Sequence, residues 1–201
     1  MRALHERFAP SAAAFELVHT HCRIVDRIAG DLLAGKPQDV DPDVVHVGAM
    51  LHDVGVYALY QGDGRLDHAG YVRHGILGDE LLRDSGLPDA ICRFCSCHTG
   101  MGLTAQDVLR QHLPLPVRDY LPVTLEEELV MYADKFHSKT DPPEFVTAGA
   151  YAVGVRRFGD EKVRRFEGLV DRFGEPDVDG LSRIFGHAVR SSTSPWSGDM
   201  S

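Results

Sequence analysis

Asp41-Pro42-Asp43-Val44-Val45-His46-Val47-Gly48-Ala49-Met50-Leu51-His52-Asp53-Val54-Gly55 is the stretch on which the fold turns. Asp41 is a helix N-cap and Pro42 suits the first helical position, where no backbone N–H is needed. Val44, Val47 and Leu51 recur at helical spacing, so the segment predicts an amphipathic helix that carries His52 and Asp53 to its far end. The helical repeat sets those two side chains about 100° apart. A cation beside the helix end could take both. Gly55 breaks the pattern, and Gln61-Gly62-Asp63-Gly64 reads as a loop.

The same periodicity runs outward in both directions. A helix is expected from about Ala12 to Leu33, stopping near Gly35-Lys36-Pro37. Others are expected from about Asp67 to Asp84, from Pro88-Asp89 to His98, and from Thr124 to about Ser138. The last opens with Thr124-Leu125-Glu126-Glu127, a capping-box sequence with acidic residues that suit the helix dipole. Residues 101–123 read as a short helix and a proline-containing loop. After Pro142-Pro143, two or three amphipathic helices reach about Val189. No alternating strand stands out and there is no internal repeat. The expected fold is all-α, one domain over 1–190, with a disordered tail over 191–201.

Ionisable side chains occupy the inward stripes of several of these helices. His21 completes the stripe of Leu17, Ile24, Val25, Ile28 and Leu32, whereas His19 falls with Arg23, Asp26 and Arg27 and is expected at the surface. His98 follows Ile91, Phe94 and Cys95. His74 shares a face with Tyr71, Leu77, Gly78 and Leu81, and Gly78 would admit a close neighbour. Asp134 follows Val130 and Met131. Burying such groups unpaired is costly. Five segments that bring imidazoles and carboxylates to one interior are best satisfied by a divalent cation, which points to a metal-dependent hydrolase built in a helical bundle.

Composition narrows the rest. The 201-residue chain is long enough for one substantial core. A formal net charge of −9 makes it a poor general binder of nucleic acid or anionic membrane. No stretch reaches the length of a membrane-spanning helix and no secretory leader is seen, so a cytoplasmic protein is expected. Cys22, Cys92, Cys95 and Cys97 are too few for a disulfide framework. Cys92-x-x-Cys95 with Cys97-His98 lacks the second pair a structural zinc site needs, so buried free thiols are preferred.

His21, His52-Asp53 and Asp134 resemble the H…HD…D arrangement of the HD superfamily of metal-dependent phosphohydrolases. Met50-Leu51-His52-Asp53-Val54-Gly55 is similar to its "LHDIG" segment, His74-Gly75-Ile76-Leu77-Gly78-Asp79-Glu80-Leu81-Leu82 to its "HxxxGAxLL" segment, and Tyr132-Ala133-Asp134-Lys135-Phe136 to its "ADKL" segment. The likeness covers roughly residues 17–140. It implies an HD-domain helical bundle with a binuclear centre. His21, His52, Asp53 and Asp134 would hold one ion, and Asp53, His74 and His98 the other, with Asp53 bridging. Iron or manganese is the first expectation for the two divalent ions, with cobalt, nickel, zinc or magnesium as alternatives.

His98-Thr99-Gly100 is similar to the "HTxG" stretch of HD-type symmetrical dinucleoside tetraphosphate hydrolases. Val56 stands where HD-GYP cyclic-di-GMP phosphodiesterases carry lysine, and Thr99 where they carry a second histidine, which argues against that branch and against a third metal. The resemblance implies hydrolysis of a phosphate ester or anhydride in a small, nucleotide-like substrate. Lys135 is a candidate phosphate contact, His68 a candidate general acid and Arg73 a weaker anion contact, each weighed against a plain surface role. A homodimer is compatible with such a bundle. Two other readings stand beside hydrolysis: a di-iron oxygenase on the same ligands, and a non-catalytic nucleotide-binding sensor.

Overall fold

The computed structural model describes residues 1–36 and 39–192 of the chain. Helices dominate: α1 (Arg2–Phe8), α2 (Ala12–Gly35), α3 (Pro42–Leu51), α4 (His74–Asp84), α5 (Asp89–Cys97), α6 (Ala105–Arg110), α7 (Leu125–Asp134), α8 (Ala148–Val155), α9 (Asp160–Phe173) and α10 (Val178–Phe185). Short 3₁₀ segments run over Val54–Leu59 and Tyr71–Arg73. Three very short strands, β1 (His137–Ser138), β2 (Glu144–Val146) and β3 (Ala188–Arg190), form a small sheet with β1 antiparallel and β3 parallel to β2. The all-α expectation holds, with this sheet as the addition. Runs of two or three residues are too short to leave an alternating signature.

Local chemistry accounts for the helix starts. Ser11, Asp41, Thr104, Thr124, Thr147 and Asp177 each accept a backbone N–H from the first turn that follows. Thr124 caps α7 as expected, but Glu127 does not complete a capping box there. Its carboxylate accepts instead from Arg93 (Nε 2.8 Å) and from the Val123 N–H, because a buried carboxylate gains more from a guanidinium than from one amide. The full capping box lies at Thr104 and Asp107 of α6.

The core is continuous from the motif-bearing helices into the C-terminal ones. Ile24, Ile28, Leu129, Tyr132 and Phe136 share one buried apolar cluster with Phe145, Tyr151, Phe166, Phe173 and Leu181. A second cluster joins Val18 and Cys22 of α2 to Leu51, Val54, Leu82 and Cys95. All four cysteines are buried and free.

Two boundaries and one exposure need correction. The helix expected from Asp67 begins at His74, after a 3₁₀ turn. The helix expected to continue to Ser138 stops at Asp134 and the chain turns into β1. His19 is not at the surface: it is buried, stacked on Phe15 at 4.7 Å and edge-on to His5 at 5.1 Å. The cause is α1, which lies over this face of α2 and carries His5 onto it. Pro37 and the tail beyond Ser192 lie outside the described residues.

Candidate metal centre

Apart from His21, which lies midway along α2, the site is made by helix ends. α3 stops at Leu51, so His52 and Asp53 leave the helical path. Asp53 sits at φ −116° and ψ 9°, and the 3₁₀ turn that follows carries the chain against α4. Gly55 permits this approach: a Cβ there would collide with the backbone carbonyl of His74 and the backbone N–H of Gly78. Gly78 in turn faces Cys95, whose Sγ would lie 2.9 Å from an added Cβ. These two glycines hold the HD turn, α4 and α5 close enough for their side chains to meet.

All six residues expected as metal ligands are buried and brought together. His21 Nε2 lies 2.9 Å from Asp134 Oδ1, 3.3 Å from His52 Nε2 and 3.4 Å from Asp53 Oδ2. On the other side, His74 Nε2 and His98 Nε2 are 2.9 Å apart, and each is 3.8 Å from Asp53 Oδ1. One carboxylate oxygen of Asp53 therefore faces each set. Groups within these six, such as Asp53 with His74 and His98, place their donor atoms within 4.8 Å of one another.

Hydrogen bonding decides what these atoms can accept. The Nδ1 atoms of His52, His74 and His98 lie 2.7, 2.7 and 3.0 Å from the carbonyls of Ala49, Tyr71 and Phe94. A carbonyl only accepts, so the proton of each neutral ring is assigned to Nδ1 and Nε2 keeps its lone pair. His21 fits the same pattern through a chain of rings. Its Nδ1 is 2.8 Å from His137 Nδ1, and His137 Nε2 is 2.9 Å from His187 Nδ1, a donor order that runs outward from His21. Asp53 is fully buried; Lys139 pairs with its Oδ2, and its Oδ1 has no hydrogen-bond partner among the described residues. Facing lone pairs on nitrogen with this carboxylate between them form a donor set that fits divalent cations.

The protonation preferences agree. Burial pushes His21 down to about 4, and the nearby Lys139 charge adds to this. Burial likewise lowers His74, and lowers His98 well below the ordinary range with His52 and His74 assisting. Burial works against ionisation of Asp53, but Lys139, His52 and His21 outweigh it and hold the carboxyl well below its usual range. Lys135, His21 and His52 do the same for Asp134. His52 is the exception. Burial opposes its charge, yet the Asp134 and Asp53 carboxylates favour the protonated ring and raise it above the ordinary imidazole value. It is the ring that takes the proton a bound cation would displace.

Lys135 is not solvated. Its buried Nζ donates to Asp134 Oδ2 at 2.6 Å and to the His98 carbonyl at 2.9 Å, tying the end of α7 to the end of α5. His68 is exposed and stands apart from the cluster, on the wall of a cavity of about 430 Å³.

Three residues that a helix-based reading passes over belong to the site: Lys139, His137 and His187. Lys139 Nζ lies 2.5 Å from Asp53 Oδ2, with the lysine's side chain largely covered and lining the same cavity. Burial opposes its charge, but the Asp53 and Asp134 carboxylates hold it protonated. His137 buttresses His21 from β1. The extra residues after Asp134 face inward because the chain reverses there, and a two-residue strand leaves no pattern to find.

The geometry suits a metal centre assembled from the middle of α2 and the ends of four other helices. A model of the family described as HD domain matches residues 18–139, and the chain belongs to that family. It is 34% identical over 122 residues to an uncharacterised protein of Methanocaldococcus jannaschii, a match that covers 59% of this chain and 65% of that protein. It is also 35% identical over 128 residues to a tRNA (cytidine(56)-2'-O)-methyltransferase of Picrophilus torridus, covering 64% of this chain but 33% of that enzyme. The chain thus spans under two thirds of the first relative and a third of the second. Among solved structures, the HD domain of the L. monocytogenes phosphodiesterase PgpH superposes with a TM-score of 0.55 at 16% identity, covering 92% of this chain and 98% of that one. The same domain in complex with cyclic-di-AMP gives 0.53 at 16% identity, covering 92% and 97%. At this identity the likeness is one of fold. Among the described residues no helix is long and apolar enough to cross a membrane.

Proposed function

We propose that the chain is a metal-dependent phosphohydrolase that cleaves a phosphate ester or anhydride of a small nucleotide-like molecule. The observation that carries this reading is Asp53, whose Oδ2 faces His21 and Oδ1 faces His74 and His98. In this reading His21, His52, Asp53 and Asp134 hold one divalent ion and Asp53, His74 and His98 a second. The ions, when bound, acidify water near neutral pH and offset charge on the phosphoryl oxygens.

The chain's own residues do the rest. Main-chain carbonyls of Ala49, Tyr71 and Phe94 fix three imidazoles in the ligating tautomer, and His137 does so for His21. Lys135 clamps Asp134. His68, on the cavity wall but apart from the cluster, is the candidate proton donor to a leaving group that extends into the cavity. Residues 1–190 act as one domain, because the C-terminal helices complete the core behind α2 and α7.

The test is a screen of phosphate-containing nucleotides with anaerobically purified protein loaded with manganese or iron. Release of phosphate or a phosphorylated fragment, lost in Asp53→Ala, is the expected result. Oxygen-dependent conversion of a non-phosphate substrate, or nucleotide binding without conversion at full metal loading, would overturn the proposal.

A further inference from the structure

Three of the four imidazoles in the cluster have their proton fixed locally. The Nδ1 atoms of His52, His74 and His98 each face a main-chain carbonyl three or four residues earlier. A carbonyl cannot donate, so those assignments are unconditional. His21 is different. Its Nδ1 lies 2.8 Å from Nδ1 of His137, and a neutral ring nitrogen donates or accepts according to where the ring's single proton sits. His137 accepts from His21 only while its own proton is on Nε2. His137 is buried, and a buried N–H is costly to leave unmet. The group that meets it is His187 Nδ1, 2.9 Å away and 50 residues further along the chain.

The small sheet brings these rings together. β1 sets His137 opposite Phe145 of β2, and β2 sets Phe145 beside Val189 of β3. The Phe145 ring packs against both imidazoles, with centroids 5.1 Å from His137 and 5.9 Å from His187. His21, His137 and His187 stack in succession, with centroids 5.2 and 5.1 Å apart. His187 is held in turn by the end of α10. Gly186 closes that helix in the left-handed conformation, and Ser182 Oγ donates to the His187 carbonyl at 2.6 Å.

Two proton orders satisfy the three rings, and both contain the same number of protons. In the outward order His21 donates to His137 and His137 to His187, and the Nε2 lone pair of His21 is available to a cation. In the inward order His187 donates to His137 and His137 to His21. The His21 proton then sits on Nε2, where Asp134 Oδ1 at 2.9 Å accepts it, and the ligating atom is blocked. We propose that His187 is a positioning residue of the metal centre: by accepting from His137 it selects the outward order, so that the affinity of His21, His52, Asp53 and Asp134 for their ion depends on the α10–β3 end of the domain. The inference rests on the ligand assignment made in the hydrolase reading. His187 itself lies outside residues 18–139, which the family model matches.

Zinc titration of the full chain tests this, because acceptors and pure donors at position 187 have opposite effects. His187→Gln offers His137 a carbonyl and should bind two zinc ions within about threefold of wild type. His187→Lys can only donate, imposes the inward order and should weaken one ion by about tenfold, the low end of the effect of outer partners on ligating imidazoles. His187→Phe keeps the ring stack, adds no charge and removes both nitrogens; it should weaken the same ion by about threefold or more. Equal affinities in the three variants, or equal weakening of both ions, overturn the proposal. Nitrogen NMR of isotope-labelled, zinc-loaded wild type reads the protons directly and needs no variant to fold. The expected pattern is a proton on Nδ1 of His21 and on Nε2 of His137 and His187; a proton on Nδ1 of His137 overturns it. If wild type binds two zinc ions and the variants match it, only this inference falls. If wild type binds none, the ligand assignment falls with it.

Discussion

Replacing Gly55 by alanine tests whether the close approach of the HD turn to α4 builds the second half of the centre. The added Cβ would collide with the His74 carbonyl and the Gly78 N–H, and would lie 2.8 Å from Gly78 Cα, against ordinary contacts of 3.4–4 Å. All three obstacles are backbone, so no side chain can swing aside. The turn and α4 must separate by more than an ångström. Overpacking of this kind costs about 3 kcal/mol, the upper part of its usual range, and lowers the Tm of a chain of this length by about 6–12 °C. The displacement also has a direction. His74 rides on α4, and its Nε2 already stands 3.8 Å from Asp53 Oδ1, so widening this gap weakens the set of Asp53, His74 and His98 before the set of His21, His52 and Asp134. Urea denaturation of the metal-free protein reads the first effect, and metal titration reads the second as selective loss of one ion. A variant with wild-type stability that still loads two ions would refute the reasoning.

Other expectations rest on single contacts. His98→Ala should lose one of two ions and keep a near wild-type helical circular dichroism signal, because the ring closes only the second set; loss of both ions would contradict the division. Glu127→Ala leaves the Arg93 guanidinium without its carboxylate and should cost about 2 kcal/mol in urea denaturation, less than for a wholly buried pair because Arg93 is partly exposed; an unchanged midpoint would remove Glu127 from the stability argument. His5 is held down to about 4, first by burial, so the unfolded chain binds its proton more readily below pH 6.5. Its contribution is complete above that pH and is lost as pH falls towards 4, by about 3 kcal/mol in all. Stability of His5→Gln should therefore fall less steeply than wild type over this interval, and parallel slopes would exclude the role.

The helical stripes made much of this legible. His21 and Asp134 lie on the apolar faces of α2 and α7, both capped at their N-termini, and His74 and His98 lie at the ends of α4 and α5; all four are buried as a period of 3.6 suggests. His52 and Asp53 could be placed together but not aimed, since their geometry comes from α3 ending at Leu51. Legibility failed where tertiary neighbours or chain reversals decide. His19 looks solvated on α2 alone and is covered by α1. Lys139 and His137 were hidden because α7 stops at Asp134 and the next residues turn back. Glu127 sits at a capping-box position, yet Arg93, 34 residues earlier, takes its carboxylate. In each case the deciding contact comes from another element, and spacing within one helix carries no record of it.

The claim beneath all of this is that Asp53 stands between two cations. Anomalous diffraction from crystals of the manganese-loaded protein tests it most directly. The account predicts two peaks, one ringed by His21, His52 and Asp134 and one by His74 and His98, with a different oxygen of Asp53 on each. One peak alone, or peaks away from Asp53, would contradict it.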